Sequence, residues 1–94
     1  MFPDLRGKIA IVTGGSRGIG AETCLALARN GVKVAINGRD EAAIQATMQA
    51  IRAIHGEAIA APADCAQLSS VEAMRDRVNA ELGAPDIVVA FAGA

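Results

Sequence analysis

The sequence predicts an α/β protein built on a doubly wound parallel sheet, with its first four strands in the order 3-2-1-4 and three crossover helices. Two observations carry this. Short apolar runs suited to strands buried on both faces alternate with stretches whose apolar residues recur every three or four positions, giving βαβαβαβ. Connections of only a few residues then require parallel strands joined by right-handed crossovers. A third observation singles out one connection. The turn after the first strand, Thr13-Gly14-Gly15-Ser16-Arg17-Gly18-Ile19-Gly20, places three spaced glycines between a strand and a helix.

The elements follow in order. Residues 8–13 (KIAIVT) form an apolar run ended by Gly14 and Gly15. From Gly18 or Ile19 to Asn30 the period becomes helical, with Ile19, Cys24, Ala26 and Leu27 as candidate contacts and Gly31 as the stop. Residues 32–37 form the second strand. Asp40 is placed to cap the next helix, whose stripe runs Ile44, Met48, Ile51 and Ile54 or His55, with Gly56 ending it. Residues 57–63 are a short third strand, limited by Pro62. Ser69 and Glu72 have capping-box spacing, and Val71, Met74, Val78 and Leu82 form the third stripe, stopped by Gly83. Residues 86–91 are the fourth strand.

Composition narrows the function classes. Apolar residues make up 52% of the 94, too many for a disordered chain. Nine basic against ten acidic residues give a net charge of -1, and the only aromatics are two Phe. Neither a nucleic-acid nor an anionic-membrane partner is expected. Cys24 and Cys65 lack metal-ligand spacing and His55 has no companion ligand, so two reduced thiols and no metal are expected. The opening Met-Phe-Pro-Asp has no signal-peptide character, and no apolar run approaches the length of a membrane span. A cytoplasmic protein is expected.

The glycine turn carries the chemistry. Gly14 turns without a Cβ penalty, Gly18 lets backbone approach a phosphate, and Gly20 lets the helix pack against the sheet. The unpaired N–H groups of the first helical turn, aided by the helix dipole, favour an anion. Ser16 offers a hydroxyl to a phosphate or serves only the turn, and Thr13 can hold the turn. An NAD site places an acid at the end of the second strand to bond the ribose hydroxyls. Here that place reads Asn37-Gly38-Arg39, with no carboxylate before Asp40. Arg39 suits a 2′-phosphate, Arg17 is a second cation within reach of it, and NADP(H) is the expected cofactor.

The spacing Thr13, Gly14, Gly18, Gly20 closely resembles the signature of the short-chain dehydrogenase/reductase family, over essentially the whole chain. Asp64 matches that family's adenine-contacting Asp, and residues 86–89 lead into Ala92-Gly93 as its fourth strand does. One departure stands out: Ala90-Phe91 replaces the family's usual Asn-Asn, removing side-chain hydrogen bonds that steady the sheet and placing a bulky ring near the adenosine pocket. The resemblance implies a Rossmann fold with Gly14, Ser16, Arg17, Gly18, Ile19, Gly20, Arg39, Asp64, Cys65, Ala92 and Gly93 around the cofactor, although Cys65 also reads as simple packing. It implies hydride transfer between nicotinamide and a carbonyl or alcohol substrate such as a 3-oxoacyl thioester or ketone, in a homo-dimer or tetramer formed mainly by later helices.

The family's Ser and Tyr-x-x-x-Lys catalytic set is not here. The chain has no Tyr, and Lys8 and Lys33 are its only lysines. No catalytic residue is therefore assigned, and the 94 residues alone are expected to be inactive. With an apolar fourth strand at the edge, they read as the N-terminal part of a single dinucleotide-binding domain, or as a chain needing a partner. Two other readings stay open: a non-catalytic nucleotide-binding or scaffold half-domain, and another Rossmann user such as a methyltransferase, against which Arg39 argues.

Overall fold

In the computed structural model, residues 5–14, 18–38, 40–61 and 67–90 are described. Seven elements alternate: β1 Ile9–Thr13, α1 Gly18–Arg29, β2 Lys33–Ile36, α2 Glu41–Ala53, β3 Ala58–Ala60, α3 Leu68–Glu81 and β4 Ile87–Ala90. The four strands form one parallel sheet in the order β3-β2-β1-β4. The expected fold class is thus the observed one.

Strand alternation decides which helix covers which face. Ala10 and Val12 of β1 and Val34 and Ile36 of β2 pack with Cys24 and Ala28 of α1 and Ile44, Met48 and Ile51 of α2. Ile9, Ile11 and Ala35 point the other way, toward Met74 and Val78 of α3. Both faces of β1 are therefore buried, which is why its sequence reads as an uninterrupted apolar run. Burying a side chain such as that of Ile11 or Ile36 removes apolar surface worth about 1.5–3 kcal/mol.

Each helix departs from its predicted pattern in one informative place. The buried side of α1 is Gly20, Cys24 and Ala28, while Ala26 is exposed and Ile19 is 71% exposed. Small residues at four-residue steps bring α1 close to the sheet; Ile19 lies off that seam. In α2, Asp40 caps as expected, its carboxylate accepting from Ala43 N–H at 3.2 Å. Ile44, Met48 and Ile51 are buried, but Ile54 lies beyond the last helical turn and is 39% exposed. The Ser69–Glu72 capping box does not form. The helix begins at Leu68 with extended Gln67 as N-cap and no side-chain cap bond, so Ser69 already sits inside the first turn.

Two helices end in the same hydrogen-bond pattern. After α1, Gly31 N–H bonds Ala28 O and Val32 N–H bonds Leu27 O; after α2, His55 N–H bonds Arg52 O and Gly56 N–H bonds Ile51 O. Both are Schellman closures, which demand a left-handed residue. Gly31 fills that place at φ 81, but in α2 it is His55, at φ 62. Gly56, expected as the stop, serves another need. A Cβ there would lie 2.6 Å from Ile51 Cγ2, so glycine allows the chain to pass over the helix end.

At the foot of the sheet, Asp86 fixes β4 against β1. Its N–H bonds Ile9 O at 2.8 Å and its carboxylate accepts Ile9 N–H at 3.0 Å. β4 is half-exposed, and Val88, beside Ile11 in the register, is 65% exposed because α3 does not reach across to it. The apolar edge expected from the sequence is present.

Replacing His55 by Gly should relieve the left-handed strain and raise stability by roughly 0.5–1 kcal/mol in urea denaturation, whereas His55→Val should lower it.

Candidate dinucleotide-binding site

The strand order reverses at β1: β2 and β3 lie on one side of it and β4 on the other. In open parallel sheets the ligand crevice forms at such a reversal, beyond the carboxyl ends of the strands. Here that end carries Thr13 of β1 and Gly14 after it, Asn37 and Gly38 after β2, Ala61 after β3 and Ala90 of β4.

Gly14 at φ 68 and Gly18 at φ 53 bracket the connection from β1 to α1. Both lie in the left-handed region, where a side chain costs about 1 kcal/mol. Gly18 opens the helix, and a Cβ built on it meets nothing within 4 Å. Among the described residues, nothing crowds this stretch of backbone. No acidic residue occupies the first turn of α1, so the positive end of its dipole is not neutralised from within the helix. α2 differs: Asp40 and Glu41 supply negative charge at its N-terminus. Gly20 is buried against the sheet, and Ile19 presents an exposed apolar side chain at the same helix end. A pyrophosphate fits this arrangement: donors without an acidic neighbour at a positive helix end.

Among the described residues, Thr13 bonds across the sheet rather than within the turn. Its hydroxyl donates to Val89 O at 3.3 Å, tying β1 to β4 across the reversal. This supplies a side-chain link between the two strands where the sequence lacks the expected asparagines. Asp40 spends a carboxylate oxygen on Ala43 N–H. The residue sequence reasoning undervalued is Asn37. It is 3% exposed, and its carboxamide donates to Ala61 O at 2.9 Å, joining the ends of β2 and β3. A polar residue closing an otherwise apolar strand is the signal that could have found it.

Of the expected site residues, Gly14, Gly18, Ile19 and Gly20 are brought together at the head of α1. Ser16, Arg17, Arg39, Asp64, Cys65, Ala92 and Gly93 lie outside the described residues, as does Phe91. Cys24, buried under α1, is no nucleophile at neutral pH: burial pushes its thiol up to about 12. Among the described residues no group of three His, Cys, Asp or Glu side chains is placed to hold a metal, and no helix is long and apolar enough to cross a membrane.

The fold and the glycine-bracketed helix end define a dinucleotide-binding protein of the Rossmann class. Comparison with known proteins makes the assignment specific. The short chain dehydrogenase family model matches residues 8–94, and the chain belongs to that family of oxidoreductases, which use nicotinamide cofactors. It is 44% identical over 90 residues to hydroxynaphthalene reductase arp2 of Aspergillus fumigatus, covering 95% of this chain and 33% of the relative. Among solved structures, a short-chain dehydrogenase/reductase from Serratia marcescens superposes with TM-score 0.90 at 34% identity, over 96% of this chain and 37% of that one. A hydroxysteroid dehydrogenase from Escherichia coli superposes with TM-score 0.91 at 32% identity, over 96% and 38%. The chain thus spans about a third of the length of these proteins.

The Gly18 geometry separates a folding role from a binding role. Gly18→Ala should cost about 1 kcal/mol of stability, through backbone strain alone. Its added methyl meets no described residue within 4 Å, so a ligand at this helix end would meet it instead, and dinucleotide affinity measured by calorimetry should fall by more than tenfold.

Proposed function

We propose that this chain is the cofactor half of an NADP(H)-dependent short-chain oxidoreductase, which moves a hydride between nicotinamide and a carbonyl or alcohol substrate. The observation that carries the reading is the left-handed Gly18 at the head of α1, with no described residue within 4 Å of its Cβ position and no acidic residue in the first turn. In this reading the N–H groups at the head of α1 hold the pyrophosphate, together with Gly14 and Ser16, and Ile19 gives the ligand an apolar surface. Asp64, Cys65, Ala92 and Gly93 complete the pocket. The bound cofactor supplies the hydride chemistry; these residues bind and orient it. Proton transfer falls to a part of the enzyme that these residues do not include.

The preference for NADP(H) rests on charge at the end of β2. Asn37 is turned into the sheet toward Ala61, Gly38 has no side chain, and Asp40 is engaged as a helix cap. Asn37 and Gly38 carry no carboxylate, and Asp40 directs one of its carboxylate oxygens to the cap of α2. Arg39 follows directly and Arg17 lies in the glycine loop, so a 2′-phosphate finds cations where NAD sites keep an acid. Two similar proteins are named for hydroxynaphthalene reduction and hydroxysteroid dehydrogenation, which supports carbonyl–alcohol interconversion as the reaction type.

The test is a comparison of cofactors on the intact protein. NADPH should bind more tightly than NADH. Arg39→Ala should reduce that ratio by roughly 10- to 100-fold, the worth of a charge-assisted hydrogen bond, with little change for NADH. An unchanged ratio would refute the assignment of the 2′-phosphate to Arg39.

A further inference from the structure

The buried amide at the end of β2 has a role that the glycine loop and the arginines do not cover. β2 and β3 pair through Val34 with Ala58, Ala35 with Ile59 and Ile36 with Ala60. The backbone ladder continues one step further, as Ala61 N–H bonds Ile36 O at 2.9 Å. In a parallel ladder the next donor to Ala61 O would be the N–H of Gly38. The Asn37 carboxamide reaches that oxygen instead, at 2.9 Å. A side chain thus serves the last acceptor of the ladder, and the main chain can leave the sheet after residue 37. The pair is dry: Asn37 is 3% exposed and Ala61 1%. Asn37 N–H also bonds Val12 O at 3.0 Å, so the same residue is tied to β1 on its other side.

These bonds lie at the carboxyl ends of β1, β2 and β3, the edge over which a dinucleotide lies in sheets of this class. The end of the second strand faces the ribose attached to adenine, whereas the pyrophosphate belongs to the head of α1. We propose that Asn37 is a positioning residue for the adenosine half of the bound dinucleotide. It touches no ligand. It fixes where the chain leaves β2 and where β3 ends, and so sets the floor on which the adenosine rests. The proposal rests on the dinucleotide reading above, and concerns the adenosine common to both cofactors, not the 2′-phosphate that divides them.

The two ligands ADP-ribose and 2′-phospho-ADP-ribose test this by calorimetry on the intact protein, at a temperature well below unfolding. Asn37→Ala should raise both dissociation constants by the same factor, on the order of tenfold, because a misplaced floor weakens the shared adenosine contacts. Ile51→Val, a core change in α2 remote from this edge, provides the control: it lowers stability but should leave both constants unchanged. Equal constants for Asn37→Ala and the unaltered protein would overturn the proposal while leaving the dinucleotide site intact. If the unaltered protein binds neither ligand, the dinucleotide reading fails and the proposal with it. A second measurement does not depend on the variant folding. The two Asn37 carboxamide protons should exchange slowly in the unaltered protein, and their NMR signals should move when ADP-ribose is added; signals indifferent to saturating ADP-ribose would overturn the proposal.

Discussion

The structure depends on how one short connection places a helix end over a strand end. β1 is the central strand, buried on both faces, and its chain turns at a left-handed Gly14 and enters α1 at a left-handed Gly18. That turn is made without strain because neither position carries a Cβ. Once made, it sets the N-terminus of α1 at the carboxyl edge of the sheet, with no acidic side chain in its first turn. The small residues Gly20, Cys24 and Ala28 then hold the helix close to the sheet, so the alignment is maintained along its length. The packing that folds the domain thus also leaves a helix N-terminus without acidic side chains at the carboxyl edge of the sheet.

The rest of the fold supports this edge from two sides. α1 and α2 cover one face in a cluster of ten described buried residues shared with β1 and β2, and α3 covers the other in a smaller cluster. Polar bonds lock the strands in register at both ends. Asp86 joins β4 to β1 at the foot, while Thr13 and Asn37 join β1 to β4 and β2 to β3 at the ligand edge. The coverage is uneven: Val88 stands largely exposed beside the buried Ile11. Apolar burial therefore supplies most of the stability around β1 and β2, and directional hydrogen bonds decide the geometry where function needs it.

Strand order, helix positions and a glycine-bracketed link between β1 and α1 were legible because each rests on a local pattern: continuous apolar runs, three- and four-residue stripes, and glycines between a strand and a helix. Asp40 as a cap was legible for the same reason. The errors arose where tertiary geometry chose between local options. Ser69 has the right neighbour for a capping box, yet α3 begins two residues too early for it, with Gln67 as N-cap. Ile19 has the spacing of a core residue but falls off the narrow seam made by Gly20 and Cys24. His55 takes the left-handed place that its neighbour Gly56 seemed made for, because Gly56 is needed where Ile51 crowds the chain. Asn37 and Asp86 act through partners 24 and 77 residues away, contacts that no local pattern announces.

The central claim is that the head of α1 receives a dinucleotide pyrophosphate. Amide NMR of the intact protein titrated with ADP-ribose tests it most directly. The account predicts that the largest shifts fall on the N–H groups of Gly14, Gly18, Ile19 and Gly20, with the heads of α2 and α3 little affected. Shifts concentrated at another helix end, or none along residues 14–20 at saturating ligand, would contradict it.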